Sequence, residues 1–192
     1  MLKEILRKSL HFILGAVIII AGLSIKNRFE IESILLAIFI ALIAFIILDY
    51  LRIELNWKIP IYHHFMRTKE KDKFNALIMG LIATLIIFKF FNYSIALAAL
   101  AMAILSDAAA ALMGTKFGGP KLFRKKTYIG SISALITNLI IGVIILPKII
   151  IVIPMALVST FTELSIHKLD DNLIVPLITG LVGQIIYLMI YI

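Results

Sequence analysis

SDAAAALMGTKFGGPKLFRKKTYIGS, residues 106–131, closes one long apolar run and opens the next. The first run ends on an aspartate, Asp107, and the segment between the runs carries glycines, five cations and no further acid. A carboxylate beside hydrocarbon costs roughly 3 kcal/mol on lenient scales, so it needs compensation and is often there for chemistry. The rest of the chain has to supply the reason.

Of the 192 residues 62% are hydrophobic and the mean hydropathy is +1.08, which is more apolar surface than a small water-soluble globule can hide. The composition predicts an integral membrane protein. Without cysteine, no disulfide framework, thiolate metal site or cysteine nucleophile exists. A net charge of +8 suits anionic headgroups or phosphorylated ligands. Nucleic acid fits poorly, because the cations are spread over short loops beside apolar spans.

A bilayer core needs about 20 apolar residues per helix. Runs near 10–25, 33–51, 74–91, 93–113, 129–146, 149–165 and 173–192 meet or approach that length, predicting an all-α polytopic bundle of about seven transmembrane helices in a single domain, 1–192. The first run follows Lys3, Arg7 and Lys8 as a secretory signal would, but no clear small-residue cleavage site follows it, so it reads as a retained span. The sixth follows Pro147 and contains Pro154, which predicts a kinked or tilted path. Fifteen cations fall on one side of this arrangement and four on the other. The positive-inside rule then places the N-terminus and the loop containing Gly118 in the cytoplasm and the C-terminus outside.

His11, Asp49, Arg52, Asn75, Asp107, Thr127, Ser131, Glu163 and Asn172 all fall at the predicted cytoplasmic ends of their spans. Asp49, Asp107 and Glu163 sit near helix C-termini, where the macrodipole already disfavours an anion and something positive has to offset it. The other spans begin at that surface with exposed N–H groups that favour phosphate. Acids calling for a cation beside helix starts calling for an anion describe a divalent-metal and polyphosphate site, with Mg²⁺ between carboxylate and phosphate oxygens.

Along the fourth span Ala103, Asp107, Ala110, Ala111 and Gly114 share one face, smooth except for its acid. Small residues there suit close helix packing; Asp107 is not needed for packing and reads as a metal ligand or an orienter of phosphates. Gly114, Gly118 and Gly119 permit backbone approach, and Lys121, Arg124, Lys125 and Lys126 supply charge or serve as a membrane anchor. Thr127, Gly130 and Ser131 open the fifth span and either hold phosphate or cap the helix. No GxxxxGK[ST] pattern is present. Glu4, Arg7, Lys8 and His11 recur at helical spacing as one ordered face, and Asp49 and Arg52 are placed to pair at i,i+3.

These motifs in this order, RKxxH at 7–11, DxxR at 49–52, DxxAxxxG at 107–114, KTxxGS at 126–131, the late acid Glu163 and DNLxxP at 171–176, resemble the membrane family of CTP-dependent lipid-alcohol kinases, which includes dolichol kinases, phytol kinases and the fungal CTP-using diacylglycerol kinases. The resemblance spans nearly the whole chain. It implies phosphorylation of a membrane lipid alcohol, whether polyprenol, phytol-like isoprenoid or diacylglycerol, with CTP as phosphoryl donor and Mg²⁺ as cofactor. In that scheme Asp107 holds Mg²⁺, with Glu163 or Asp171. Lys126 and Arg7, beside Lys8, neutralise phosphate, the Gly130 and Ser131 amides cradle it near Gly114, Gly118 and Thr127, and Asp49 or His11 takes the alcohol proton. Glu4, Arg52 and Asn172 support the site. A CDP-lipid synthase is the first alternative, since those enzymes use the same nucleotide in a similar setting. A transporter is the second, disfavoured because no midplane charges or inverted repeat are visible.

Overall fold

A computed structural model of the chain describes residues 31–55, 76–123, 126–166 and 169–191. They form α1 (Ile31–Leu55), α2 (Ala76–Phe90), α3 (Tyr93–Phe117), β1 (Lys121–Phe123), β2 (Lys126–Thr127), α4 (Tyr128–Ile145), α5 (Ile149–Ser165) and α6 (Asp171–Tyr191). Six of the predicted spans coincide with these helices; the one predicted at 10–25 lies outside the described residues. Four helices, α1, α3, α4 and α6, are long and apolar enough to cross a membrane. The other two, α2 with 15 residues and α5 with 17, are apolar but shorter.

A helix that is apolar all round belongs either in lipid or at the centre of a bundle. α1 is of the first kind, exposing Leu36, Phe39, Ile40, Ile43 and Ile47 and packing mainly on α2. α3 is of the second kind. Every residue from Ile95 to Met102 is buried, so two full turns are covered on all sides by α4, α5, α6 and α2. Alanines at 96, 98, 99 and 101 make that possible by letting neighbouring backbones approach. Ile95, Met102 and Leu105 of α3 join Ile141 of α4 and Ile151, Val152 and Met155 of α5 in the main core cluster.

The helix ends follow from local chemistry. Asn92 caps α3 by accepting from the Ser94 N–H at 3.0 Å, and its own N–H donates to Gln184 Oε1 of α6 at 2.8 Å. Leu146 ends α4 just ahead of Pro147, which cannot continue a helix. The segment from Gly114 to Thr127, read from sequence as a loop, includes regular structure among its described residues. α3 continues through Phe117, Gly118 and Gly119 turn the chain at φ 63° and 100°, and β1 pairs antiparallel with β2. Side chains rarely adopt those angles, which is why glycine stands at both positions.

Polar groups inside the bundle are few. Asn138 Nδ2 donates to Thr160 Oγ1 at 3.1 Å, tying α4 to α5. The hydroxyls of Ser159 and Thr179 are fully buried with no hydrogen-bond partner among the described residues. An orphaned buried hydroxyl is costly, so Thr179→Val, which keeps the shape, is expected to raise the unfolding free energy by about 1 kcal/mol in detergent titration. Unchanged or lower stability would mean that this hydroxyl has a partner in the folded membrane protein.

Candidate active site

Glu163 lies in the last turn of α5, buried, with its carboxylate at the negative end of the helix dipole. Two charges of the same sense at one place require a cation, and the hairpin delivers it. Because Gly118 and Gly119 reverse the chain and the Tyr128 N–H bonds the Pro120 carbonyl at 3.2 Å, β2 brings Lys126 back over the end of α5. Lys126 Nζ lies 3.0 Å from Glu163 Oε1 and also donates to the Glu163 backbone carbonyl, so one ammonium meets both the acid and the helix end. Ser106 Oγ of α3 donates to Glu163 Oε2 at 3.3 Å. Asp107, the next residue, is near enough to repel that carboxylate. Two acids, a lysine and a serine from α3, β2 and α5 thus meet at one end of the bundle.

The small face of α3 abuts the first turn of α4. A methyl group on Gly114 would stand 2.9 Å from Thr127 Oγ1, and one on Gly130 would stand 2.9 Å from the Ala110 carbonyl oxygen. Thr127 Oγ1 accepts from the Gly130 N–H at 3.1 Å, so it caps α4, and Ser131 Oγ donates to the Thr127 carbonyl at 3.1 Å. The Gly118 N–H bonds the Gly114 carbonyl at 3.2 Å. Gly114, Thr127, Gly130 and Ser131 are therefore brought together beside Lys126, in a contact that packs and caps helices.

The remaining predicted residues are distributed differently. Asp49 is buried on α1 and paired with Arg52 at 3.1 Å. Asp171 opens α6, where the Asn172 N–H donates to Asp170 Oδ1 at 2.9 Å and Asp171 Oδ1 at 3.1 Å. Asp170, not singled out from sequence, takes part in capping that helix. Glu4, Arg7, Lys8 and His11 lie outside the described residues. Among the described residues no three carboxylates or histidines gather as a metal-holding group. Asp107 and Glu163 do neighbour each other, and their hard oxygen donors suit Mg²⁺, which commonly takes one or two carboxylates and completes its shell with phosphate and water. Both oxygens of Glu163 are engaged by Lys126 and Ser106.

Ser106 is the residue that the sequence conceals, because serine in an apolar helix usually bonds its own backbone one turn back. It is fully buried and bonds another helix instead. Ser106→Ala is expected to lower turnover about tenfold through loss of one charge-assisted hydrogen bond. Ser106→Thr should retain most of the rate and the midpoint, whereas Ser106→Ala should also lower the thermal midpoint, because it leaves a buried carboxylate oxygen without a partner, so rates are compared per folded molecule. Equal rates for Ser106→Ala and wild type would remove Ser106 from the site.

No family model and no solved structure matches the chain. A curated relative, CTP-dependent diacylglycerol kinase 1 of Saccharomyces cerevisiae (strain ATCC 204508 / S288c), is 31% identical over 150 residues, covering 71% of this chain and 48% of the relative. The chain thus spans about half the length of the relative it matches. With the motif order and the clustered acids, lysine and glycines, this match identifies the chain as an integral membrane member of the CTP-dependent lipid kinase family.

Proposed function

We propose that the protein transfers the γ-phosphoryl group of CTP to the hydroxyl of a membrane lipid alcohol, a polyprenol, phytol-like isoprenoid alcohol or diacylglycerol, at the cytoplasmic face. The observation that carries this reading is the Lys126–Glu163–Ser106 cluster beside Asp107, at the end of α5 and the middle of α3, one turn before the small-residue face of α3 meets the start of α4. Phosphoryl transfer asks a protein for position and charge more than for covalent chemistry.

In the reaction the alcohol oxygen forms a bond to the γ-phosphorus as the bond from that phosphorus to the bridging oxygen of CDP breaks, and the alcohol proton leaves to a base. Asp107, with Glu163 near, would hold Mg²⁺, which neutralises charge on the polyphosphate. Lys126 has three N–H donors, of which Glu163 takes two, so a phosphate oxygen can be met by the third. Ser106 and Lys126 fix Glu163 from opposite oxygens and keep the acid from swinging into the space that phosphate needs. Asp49 or His11 accepts the proton. The lipid tail stays among the helices while its hydroxyl reaches the interface.

Purified protein given CTP and either a panel of lipid alcohols or phosphatidate, the phosphate acceptor that cytidylyl transfer requires, settles the class of reaction. Label from the γ-position should appear in the lipid product. Incorporation of the α-phosphate instead would establish cytidylyl transfer, and no incorporation with any alcohol would remove the kinase reading. Sidedness is tested separately in this cysteine-free chain. Lys121→Cys and Lys148→Cys are expected to react with an impermeant thiol reagent from opposite faces of sealed vesicles, and reaction from one face would overturn the assignment.

A further inference from the structure

We propose that the β1–β2 hairpin, with the end of α3 and the start of α4, is a docking surface for the anionic headgroups of the bilayer in which the protein sits. The hairpin has three residues in one strand and two in the other, with an irregular register. Two strands of that size are marginal by themselves and need a surface to lie on. β1 is not covered by the bundle: Lys121, Leu122 and Phe123 are all exposed, as are Lys116 and Phe117 before it and Tyr128 after it. Lys116 lies over the Phe117 ring, 5.3 Å from its centroid. Aromatic and aliphatic side chains interleaved with lysines suit headgroup depth, where the rings enter the acyl boundary and the ammonium groups meet phosphate.

Charge selects the kind of lipid. From Ala108 to Thr162 the sequence has no acid, so the stretch that carries these lysines is wholly cationic, and Glu163, the acid that follows it, is engaged by Lys126. A zwitterionic surface gives them no net attraction, whereas an anionic one does. The surface also differs in role from the cation on the inner side of the same hairpin, because Lys126 is committed to Glu163. Lipid held by the outer lysines would steady β1, and β1 steadies the strand that carries Lys126.

The test needs neither nucleotide nor substrate, so it stands apart from the kinase reading. The chain has one tryptophan, Trp57. In a Trp57→Phe background, Leu122→Trp places a fluorophore on β1, and Phe117→Trp serves as a second probe if the first variant is not monodisperse. In nanodiscs, brominated phosphatidylglycerol is expected to quench about twofold more than brominated phosphatidylcholine at equal mole fraction. Lys116→Gln/Lys121→Gln should abolish that preference. Equal quenching by the two lipids, persistence of the preference in the double variant, or quenching by aqueous iodide alone would each overturn the proposal.

Discussion

Asp107→Asn is expected to leave the protein folded and to lower turnover by about 10²–10³, the cost of losing about 3–4 kcal/mol of preorganised charge at a reacting centre. The amide keeps the volume of the acid and removes only its charge. Turnover with labelled CTP at saturating divalent cation, set beside the thermal midpoint of the same preparation, reads both effects. A lower midpoint with normal activity per folded molecule would make Asp107 a structural acid.

Gly114→Val is expected to damage the protein itself, with loss of the monodisperse peak, a lower midpoint and loss of CTP binding appearing together. The first side-chain carbon would already stand 2.9 Å from Thr127 Oγ1, and valine adds two more. Overpacking of this kind costs about 1–3 kcal/mol. The displaced hydroxyl caps α4, which adds about 1 kcal/mol. Gly130→Ala should act in the same direction, since its methyl would meet the Ala110 carbonyl, a backbone atom that cannot rotate aside. Variants with wild-type midpoints that have lost CTP binding would show that these glycines make room for ligand and not for helices.

Run length and charge made most of the helical architecture legible, because a bilayer imposes both on any spanning chain. Helix positions were readable for the same reason that side-chain partners were not. Apolar periodicity says nothing about which helix occupies the centre, and α3 reveals itself only through the alanines that let others close around it. The expectation of a positive partner drawn from the helix dipole holds for Glu163, in the last turn of α5, which Lys126 meets; it does not hold for Asp107, because α3 runs on to Phe117 and leaves that acid in mid-helix, beyond the reach of the terminal dipole. Its route there, through two left-handed glycines and a short hairpin, depends on backbone angles that GGP suggests without specifying. Ser106 was hidden because its hydrogen bond joins residues 57 positions apart. Thr127 stood equally as cap and as phosphate ligand; the cap bond to Gly130 is present.

Two of the connections are very short: only Phe91 and Asn92 separate α2 from α3, and only Leu146, Pro147 and Lys148 separate α4 from α5. A translocating chain cannot hold such helices apart, so each pair enters lipid as one unit. In the α4–α5 unit the deeply placed amide of Asn138 finds Thr160 within its own pair. During biogenesis, the Nδ2 donor of that amide therefore has its partner before α6 has been synthesised, and α6 closes against α3 and α5 afterwards.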